Sequence, residues 1–158
     1  MNKIYIQNLG LILTNKCNLD CKHCCRGCKN NKDMKYEVID KVLSECKYIG
    51  NLALCGGEIT LSLDTLEYLF NYIIEHHIIV EEVSCVINGT IYSTKFLELF
   101  DYMNEYINSY KKNNESNTTY AISYDPYHLL EITRLNLVEQ YKENIKLYER
   151  SIHFYGIK

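Results

Sequence analysis

Short runs of β-branched and other apolar residues alternate with segments of helical periodicity along nearly the whole 158-residue chain. This alternation predicts strand–helix units whose strands pair in parallel, because each helix carries the chain back along the sheet. The predicted strands are residues 10–14, 51–54, 82–87, 120–123 and 152–155. The predicted helices run from 33 or 34 to about 46, from 62 to about 76, over 93–110 and over 129–148.

The number of units predicts an α/β fold with an incomplete, open parallel β/α barrel. A closed barrel of eight strand–helix units takes about 250 residues. The sequence has room for four or five units, so the sheet is expected to stay open. We expect a single domain over residues 1–158, since no repeat, linker or low-complexity tract divides the chain.

The composition favours a soluble, cytoplasmic protein. The formal net charge is −3, which argues against a strongly basic nucleic-acid binder. The N-terminal segment has no small-residue cleavage site of a signal peptide. The longest apolar stretches fall short of the roughly 20 residues of a bilayer span, so no membrane segment is expected. The 8 cysteines are therefore expected to be reduced thiols.

Positive charge is concentrated near the N-terminus. Residues 1–35 carry six Lys and Arg26 against Asp20 and Asp33, a net charge of +5. Such a segment could suit an anionic cofactor or a phosphorylated ligand. The alternative is a loop of solvated lysines, and Arg26 itself could either hold a carboxylate or phosphate or be an exposed loop residue.

Three cysteines follow the first predicted strand with the spacing Cys-x3-Cys-x2-Cys: Cys17, Cys21 and Cys24. Three thiolates on one short loop can wrap a single metal centre, and iron–sulfur clusters are normally held by Cys thiolates. Three ligands leave one iron of a four-iron cluster with an open position. In catalytic zinc sites an open position is where a substrate binds. The spacing therefore predicts a cluster site with room for a ligand.

Polar and glycine-rich segments follow the next three predicted strands. They are Gly56-Gly57-Glu58, Asn88-Gly89-Thr90 and Ser123-Tyr124-Asp125. Ligands of parallel α/β sheets bind at the carboxyl ends of the strands, where the following loops converge. We therefore expect these segments to meet the cysteines at one end of the sheet.

The cysteine spacing, preceded by Leu13-Thr14-Asn15, resembles the cluster loop of the radical S-adenosylmethionine (radical SAM) superfamily. The three strand-end segments resemble that family's Gly-Gly-Glu-Pro, Thr-Asn-Gly and Ser-x-Asp motifs, and the resemblance extends over about residues 9–125. Small members of the family are similar in the residues around Cys24. Ile59 stands in place of the usual Pro, and His23 in place of the usual aromatic residue.

The resemblance implies a 4Fe-4S cluster held by Cys17, Cys21 and Cys24, with SAM bound beside it. It implies reductive cleavage of SAM to a 5′-deoxyadenosyl radical, which abstracts hydrogen from an unknown substrate, of peptide or nucleotide type. The implied electron donor is a protein such as flavodoxin or ferredoxin. The implied SAM contacts are Gly56, Gly57, Glu58, Asn88, Ser123 and Asp125.

The family's later elements have no recognisable counterpart near the end of this sequence, which is therefore interpreted as a truncated family core. A homodimer contact, a partner subunit or a bulky substrate is expected to cover the open sheet edge. One alternative function is an activase that generates a glycyl radical on a partner enzyme. Another is a non-catalytic zinc-binding or cluster-binding subunit, or a truncated remnant of a longer enzyme.

Four further interpretations concern cysteines and histidines outside the motifs. Cys25 and Cys28 could join Cys21 and Cys24 in a zinc knot, but we expect the cluster to form without them. His23 is expected to pack beside the cluster rather than to bind metal. Asp125 and His128 could handle protons, but a helix cap and a surface histidine are favoured for the pair. Small buried side chains are expected at three cysteines: Cys46, Cys55 and Cys85.

Overall fold

The computed structural model describes residues 4–24, 26–27, 29–112, 116–123, 125–135, 137, 139–140 and 152–155. The strands are β1 (Ile4–Thr14), β2 (Cys46–Gly56), β3 (Ile79–Ile87), β4 (Thr118–Ser123) and β5 (Ile152–Tyr155). The helices are α1 (Tyr36–Leu43), α2 (Leu63–Glu75), α3 (Thr94–Lys111) and α4 (Pro126–Arg134), with a 3-10 turn at Ile59–Leu61. Cys25 and Cys28 lie outside the described residues, as does most of the second half of the helix predicted over 129–148.

The five strands form one parallel sheet in the order β1-β2-β3-β4-β5. Every crossover therefore moves in the same direction along the sheet, as in a β/α barrel. The five strands of the described residues are fewer than the eight that close such a barrel. The prediction of an α/β fold with an open, incomplete parallel barrel is confirmed.

The helices form where the apolar periodicity predicts them. In α2 the side chains of Leu66, Phe70 and Ile73 are fully buried. The periodic apolar residues of α3 are all buried: Phe96, Leu97, Phe100, Met103 and Ile107. The Ser93 side chain accepts a hydrogen bond from the backbone N–H of Phe96 at 3.2 Å, which caps the start of α3. Burial of one stripe on each helix attaches the helices to the sheet.

The strands are longer than predicted. The prediction placed the start of β1 at residue 10, but the strand begins at Ile4. Its first half was missed because Gln7 and Asn8 interrupt the apolar run and most of these residues are exposed. The helix predicted to reach Cys46 ends as α1 at Leu43, and Cys46 is the first residue of β2. Where a strand end lacks a regular alternation of apolar and polar residues, the sequence pattern does not mark its boundary. These strand boundaries were misplaced for that reason.

The core lies on the face of the sheet that the helices cover. Alternate strand residues such as Leu52, Leu54 and Val83 point into it and are buried. Their neighbours on the opposite face are open, with Ile12 42% and Val86 51% exposed. In the described part of the chain, the helices therefore cover one face of the sheet, and the uncovered face corresponds to the interior of a closed barrel.

None of the helices in the described part of the chain has the length and apolar character needed to span a membrane.

Candidate active site

A cleft of about 350 Å³ lies at the carboxyl ends of β1 to β4. It is bounded on one side by the loop of residues 15–35, here named the cysteine loop, and on the other by the segments that follow β2, β3 and β4. The predicted site residues that line it are Cys17, Cys21, Cys24, Gly56, Gly57, Glu58, Asn88 and Ser123. The structure thus brings together four segments that are up to about a hundred residues apart in sequence.

The cysteine loop is fastened to the end of β2 by backbone pairing. The N–H of Gly57 donates to the carbonyl of Thr14 at 2.8 Å, and the N–H of Glu58 donates to the carbonyl of Lys16 at 2.7 Å. These bonds continue the β1–β2 ladder past the end of the strands. They hold the residue directly before Cys17 against the glycine segment.

Two glycines make this close approach sterically feasible. A Cβ atom at Gly57 would lie 2.0 Å from the carbonyl oxygen of Lys16, and one at Gly56 would lie 2.4 Å from that of Thr14. Gly56 also has φ +145°, a conformation that L side chains rarely adopt. The family resemblance implies that Gly56 and Gly57 contact SAM. In the structure the approaching group is the backbone of the protein itself.

The far end of the cysteine loop is tied back by Asp33. Its carboxylate accepts hydrogen bonds from the Thr14 hydroxyl at 2.7 Å and from Lys16 Nζ at 2.5 Å. Burial alone would raise the pKa of Asp33, but these hydrogen bonds hold it below its usual value. Asp33 therefore joins the end of the cysteine loop to its beginning at the end of β1. The cysteines lie between these two joined ends.

Glu58 has its carboxylate inside the protein. The side chain is buried, with the residue 1% exposed. One oxygen accepts from the Thr60 N–H at 3.2 Å and the Thr60 hydroxyl at 2.6 Å, and the other accepts from the Asn88 N–H at 2.6 Å. Burial raises the pKa of this carboxyl. Glu58 therefore links the ends of β2 and β3.

Asn88 links β3 to the cysteine loop. Its amide donates to Asn18 Oδ1 at 2.8 Å, while its own Oδ1 accepts from the N–H and hydroxyl of Thr90 at 2.9 and 2.7 Å. Asn18 donates in turn to the Thr90 hydroxyl at 2.8 Å. This closed set of hydrogen bonds positions the residue that follows Cys17. The role of Asn18 was missed, because one asparagine beside a cysteine carries no signal of its own.

His128 is buried, which contradicts the prediction of a surface histidine. Both Asp125 and His128 are less than a tenth exposed. Asp125 precedes α4 and accepts the backbone N–H of His128 at 3.2 Å, so its predicted role as a helix cap is confirmed. The first turn of α4 lies against the cysteine loop and buries the imidazole. Contact across a hundred residues cannot be read from local periodicity.

The two buried side chains form a chain of contacts that ends at a cysteine. His128 Nδ1 lies 2.5 Å from Asp125 Oδ2, and His128 Nε2 lies 3.6 Å from the sulfur of Cys21. On the other side of the carboxylate, His23 Nε2 lies 3.5 Å from the same oxygen of Asp125. His23 lines the cleft together with the cysteines.

The thiols lie close enough to affect one another electrostatically. Burial raises the pKa of the Cys21 thiol, and the negative charges of the neighbouring thiols and of Asp125 raise it further. A bound cation would relieve this repulsion, because it stabilises thiolates. Three cysteine sulfurs around one cleft, with further space that extends to Ser123, fit a thiolate-bound cluster beside a small molecule.

The other cysteines divide into two groups. Cys46 and Cys85 are buried as predicted. Cys55 is exposed, contrary to prediction, because it points from β2 to the uncovered face of the sheet.

Arg26 is also exposed, lines the cleft and donates to Asn15 Oδ1 at 3.2 Å.

Comparison with known proteins agrees with this architecture. The family model of the radical SAM superfamily matches residues 11–157. The chain belongs to the radical SAM superfamily. It is also 31% identical over 70 residues to an uncharacterized protein of Methanocaldococcus jannaschii, an alignment that covers 42% of this chain and 24% of the other. The chain thus spans about a quarter of the length of the curated relative it matches.

Replacing Glu58 by Ala is expected to lower the free energy of unfolding by about 1–3 kcal/mol, because buried N–H groups of Thr60 and Asn88 lose their acceptor. Chemical denaturation of the metal-free protein would measure this change. The matched control is Glu67→Ala on α2, a half-exposed carboxylate paired with Lys95, which should change stability by no more than about 0.5 kcal/mol. Equal stability of both variants would contradict the bridging role of Glu58.

Proposed function

We propose that this radical SAM protein binds one 4Fe-4S cluster through Cys17, Cys21 and Cys24 and binds SAM in the adjoining cleft. The observation that carries the proposal is that all three thiols line the same cleft as the glycine segment and Ser123. Together the two groups supply a chemistry that side chains lack, the reductive cleavage of SAM to a 5′-deoxyadenosyl radical that takes hydrogen from a substrate. The substrate class proposed is a peptide or a nucleotide-containing molecule.

We assign the site residues to two roles: some hold the SAM pocket in place, and others contact SAM directly. The side chains of Glu58, Asn88 and Asp125 are engaged by other protein groups, so we assign them to holding the wall of the SAM pocket in place. The backbone of Gly56 and Gly57 lines the cleft, and the half-buried Ser123 hydroxyl lies at its β4 side. We assign these groups to direct contact with SAM.

The cysteine loop is also proposed to receive the electron donor. Lys22, Arg26 and Lys32 are exposed on the loop that carries the cluster ligands. A basic surface attracts an acidic partner and accelerates its association at low ionic strength. A flavodoxin or ferredoxin is the proposed donor. Cluster reduction by such a protein should slow with added salt and in Lys22→Glu, whereas reduction by dithionite should be unaffected by the substitution.

The uncovered face of the sheet is proposed to be a contact surface. Ile12 and Val86 are exposed there next to the cleft. We propose that residues 1–158 form one radical SAM domain, and that a second copy, a partner subunit or a bulky substrate covers the open edge of the sheet at β5 together with this face. SAM cleavage by the isolated monomer would then be slow. A protein that is monomeric by light scattering and cleaves SAM at the full rate without a partner would contradict this proposal.

A second candidate function is zinc binding. Ligand atoms of His23, Asp125 and His128 all lie within 4.8 Å of one another, close to Cys21. Zinc accepts this combination of nitrogen, oxygen and sulfur ligands. This candidate leaves the glycine segment and the cleft beyond it without a role, and we rank it second for that reason.

Anaerobic reconstitution with iron and sulfide distinguishes the two functions. We expect about four irons per chain, and 5′-deoxyadenosine after addition of SAM and dithionite. Cys17→Ala, Cys21→Ala and Cys24→Ala should each lose the iron, whereas Cys25→Ala and Cys28→Ala should retain it. Zinc bound in place of iron, without deoxyadenosine, would contradict the proposal and support the second candidate.

Replacing Ser123 by Ala is expected to weaken SAM binding about fivefold, since one hydrogen bond contributes about 1 kcal/mol. Titration of SAM into the reconstituted variant would measure the dissociation constant, and the iron content should stay unchanged. The matched control is Ser84→Ala, which removes a hydroxyl from the same face of the sheet, where it donates to Asn51. Equal affinities in the two variants would remove Ser123 from the SAM pocket.

A further inference from the structure

We infer that His128, held in place by Asp125, donates a hydrogen bond to the sulfur of Cys21 and thereby raises the reduction potential of the cluster. This inference rests on the proposed function, because it requires Cys21 to be a cluster ligand. His128 lines the cleft, but we assign it to the cluster ligand Cys21 rather than to contact with SAM or substrate. It is a positioning residue that acts through Cys21.

The orientation of the imidazole is fixed at two points. Asp125 accepts the backbone N–H of His128 with one oxygen and contacts ring Nδ1 with the other, at 3.2 and 2.5 Å. The spacing of three residues between the two side chains produces this arrangement, since the carboxylate caps the helix whose first turn carries the imidazole. With Nδ1 occupied, the opposite nitrogen Nε2 is directed at Cys21, 3.6 Å away.

The direction of the hydrogen bond follows from these contacts. A cysteine binds iron as the thiolate, which accepts hydrogen bonds. Nδ1 faces a carboxylate oxygen and Nε2 faces this sulfur, so both ring nitrogens are directed at hydrogen-bond acceptors. We therefore assign Nε2–H as the donor to the Cys21 thiolate.

A hydrogen bond to a cluster sulfur affects electron transfer. It stabilises the additional negative charge of the reduced cluster, and hydrogen bonds to the sulfurs are among the factors that set cluster potentials. His128 is buried and Cys21 is half-buried, so solvent competes little for the imidazole and the interaction is strengthened. His128 should therefore make the cluster easier to reduce.

The test compares His128→Leu, which removes the donor, with His128→Gln, which retains an N–H donor. Each is reconstituted, its iron is counted, and its midpoint potential is measured by redox titration at one fixed pH. We expect a roughly tenfold lower ratio of reduced to oxidised cluster in His128→Leu at a given potential, which equals about 59 mV for one electron. His128→Gln should recover part of the difference. His76→Leu, at the exposed end of α2, should match the unmutated protein.

A second readout is pulsed electron paramagnetic resonance of the reduced cluster in protein labelled with nitrogen-15 histidine. We expect one histidine nitrogen coupled to the cluster, lost in His128→Gln. Two results would overturn this inference and leave the proposed function intact. One is that no histidine nitrogen is coupled to the cluster in the unmutated protein. The other is that iron-loaded His128→Leu has the same midpoint potential as the unmutated protein. An unmutated chain without a cluster would overturn the proposed function, and this inference with it. If His128→Leu fails to hold iron, the inference is tested by the two remaining measurements. These are the coupling of a histidine nitrogen to the cluster in the unmutated protein and the midpoint potential of His128→Gln.

Discussion

The site depends on the backbone contact between the glycine segment after β2 and the start of the cysteine loop. Gly57 and Glu58 donate to the carbonyls of Thr14 and Lys16. The contact has no space for a side chain, since a Cβ at Gly57 would lie 2.0 Å from the Lys16 oxygen. A single methyl group there would displace the residue adjacent to Cys17. The position of the first thiol is thus determined by the absence of a side chain forty residues later.

Buried polar groups extend this contact to the rest of the cleft. Glu58 joins the ends of β2 and β3, and Asn88 joins β3 to Asn18 beside Cys17. A buried carboxylate without partners would be costly, but here both oxygens accept hydrogen bonds. The arrangement holds three strand ends and the loop in one geometry before any ligand binds. Such preorganisation is what a site that orients a reactive cofactor requires.

Much of this architecture could be predicted from the sequence. The apolar stripe of α2 and the position of the motifs at strand ends follow from short-range periodicity and from the rule that parallel strands carry their sites at the carboxyl end. The first half of β1 was missed, because Gln7 and Asn8 interrupt its apolar residues and no regular alternation remains. The burial of His128 and the exposure of Cys55 were missed for a related reason. Both depend on which distant segment covers a side chain, which local sequence does not encode.

The central claim is that three thiolates hold a four-iron cluster with one iron open to SAM. Mössbauer spectroscopy of the protein reconstituted with iron-57 tests it most directly. We expect about four irons per chain, one of which is distinct from the others and changes its spectrum when SAM is added. Four irons that are equivalent and unaffected by SAM, or a protein that holds no iron–sulfur cluster, would contradict it.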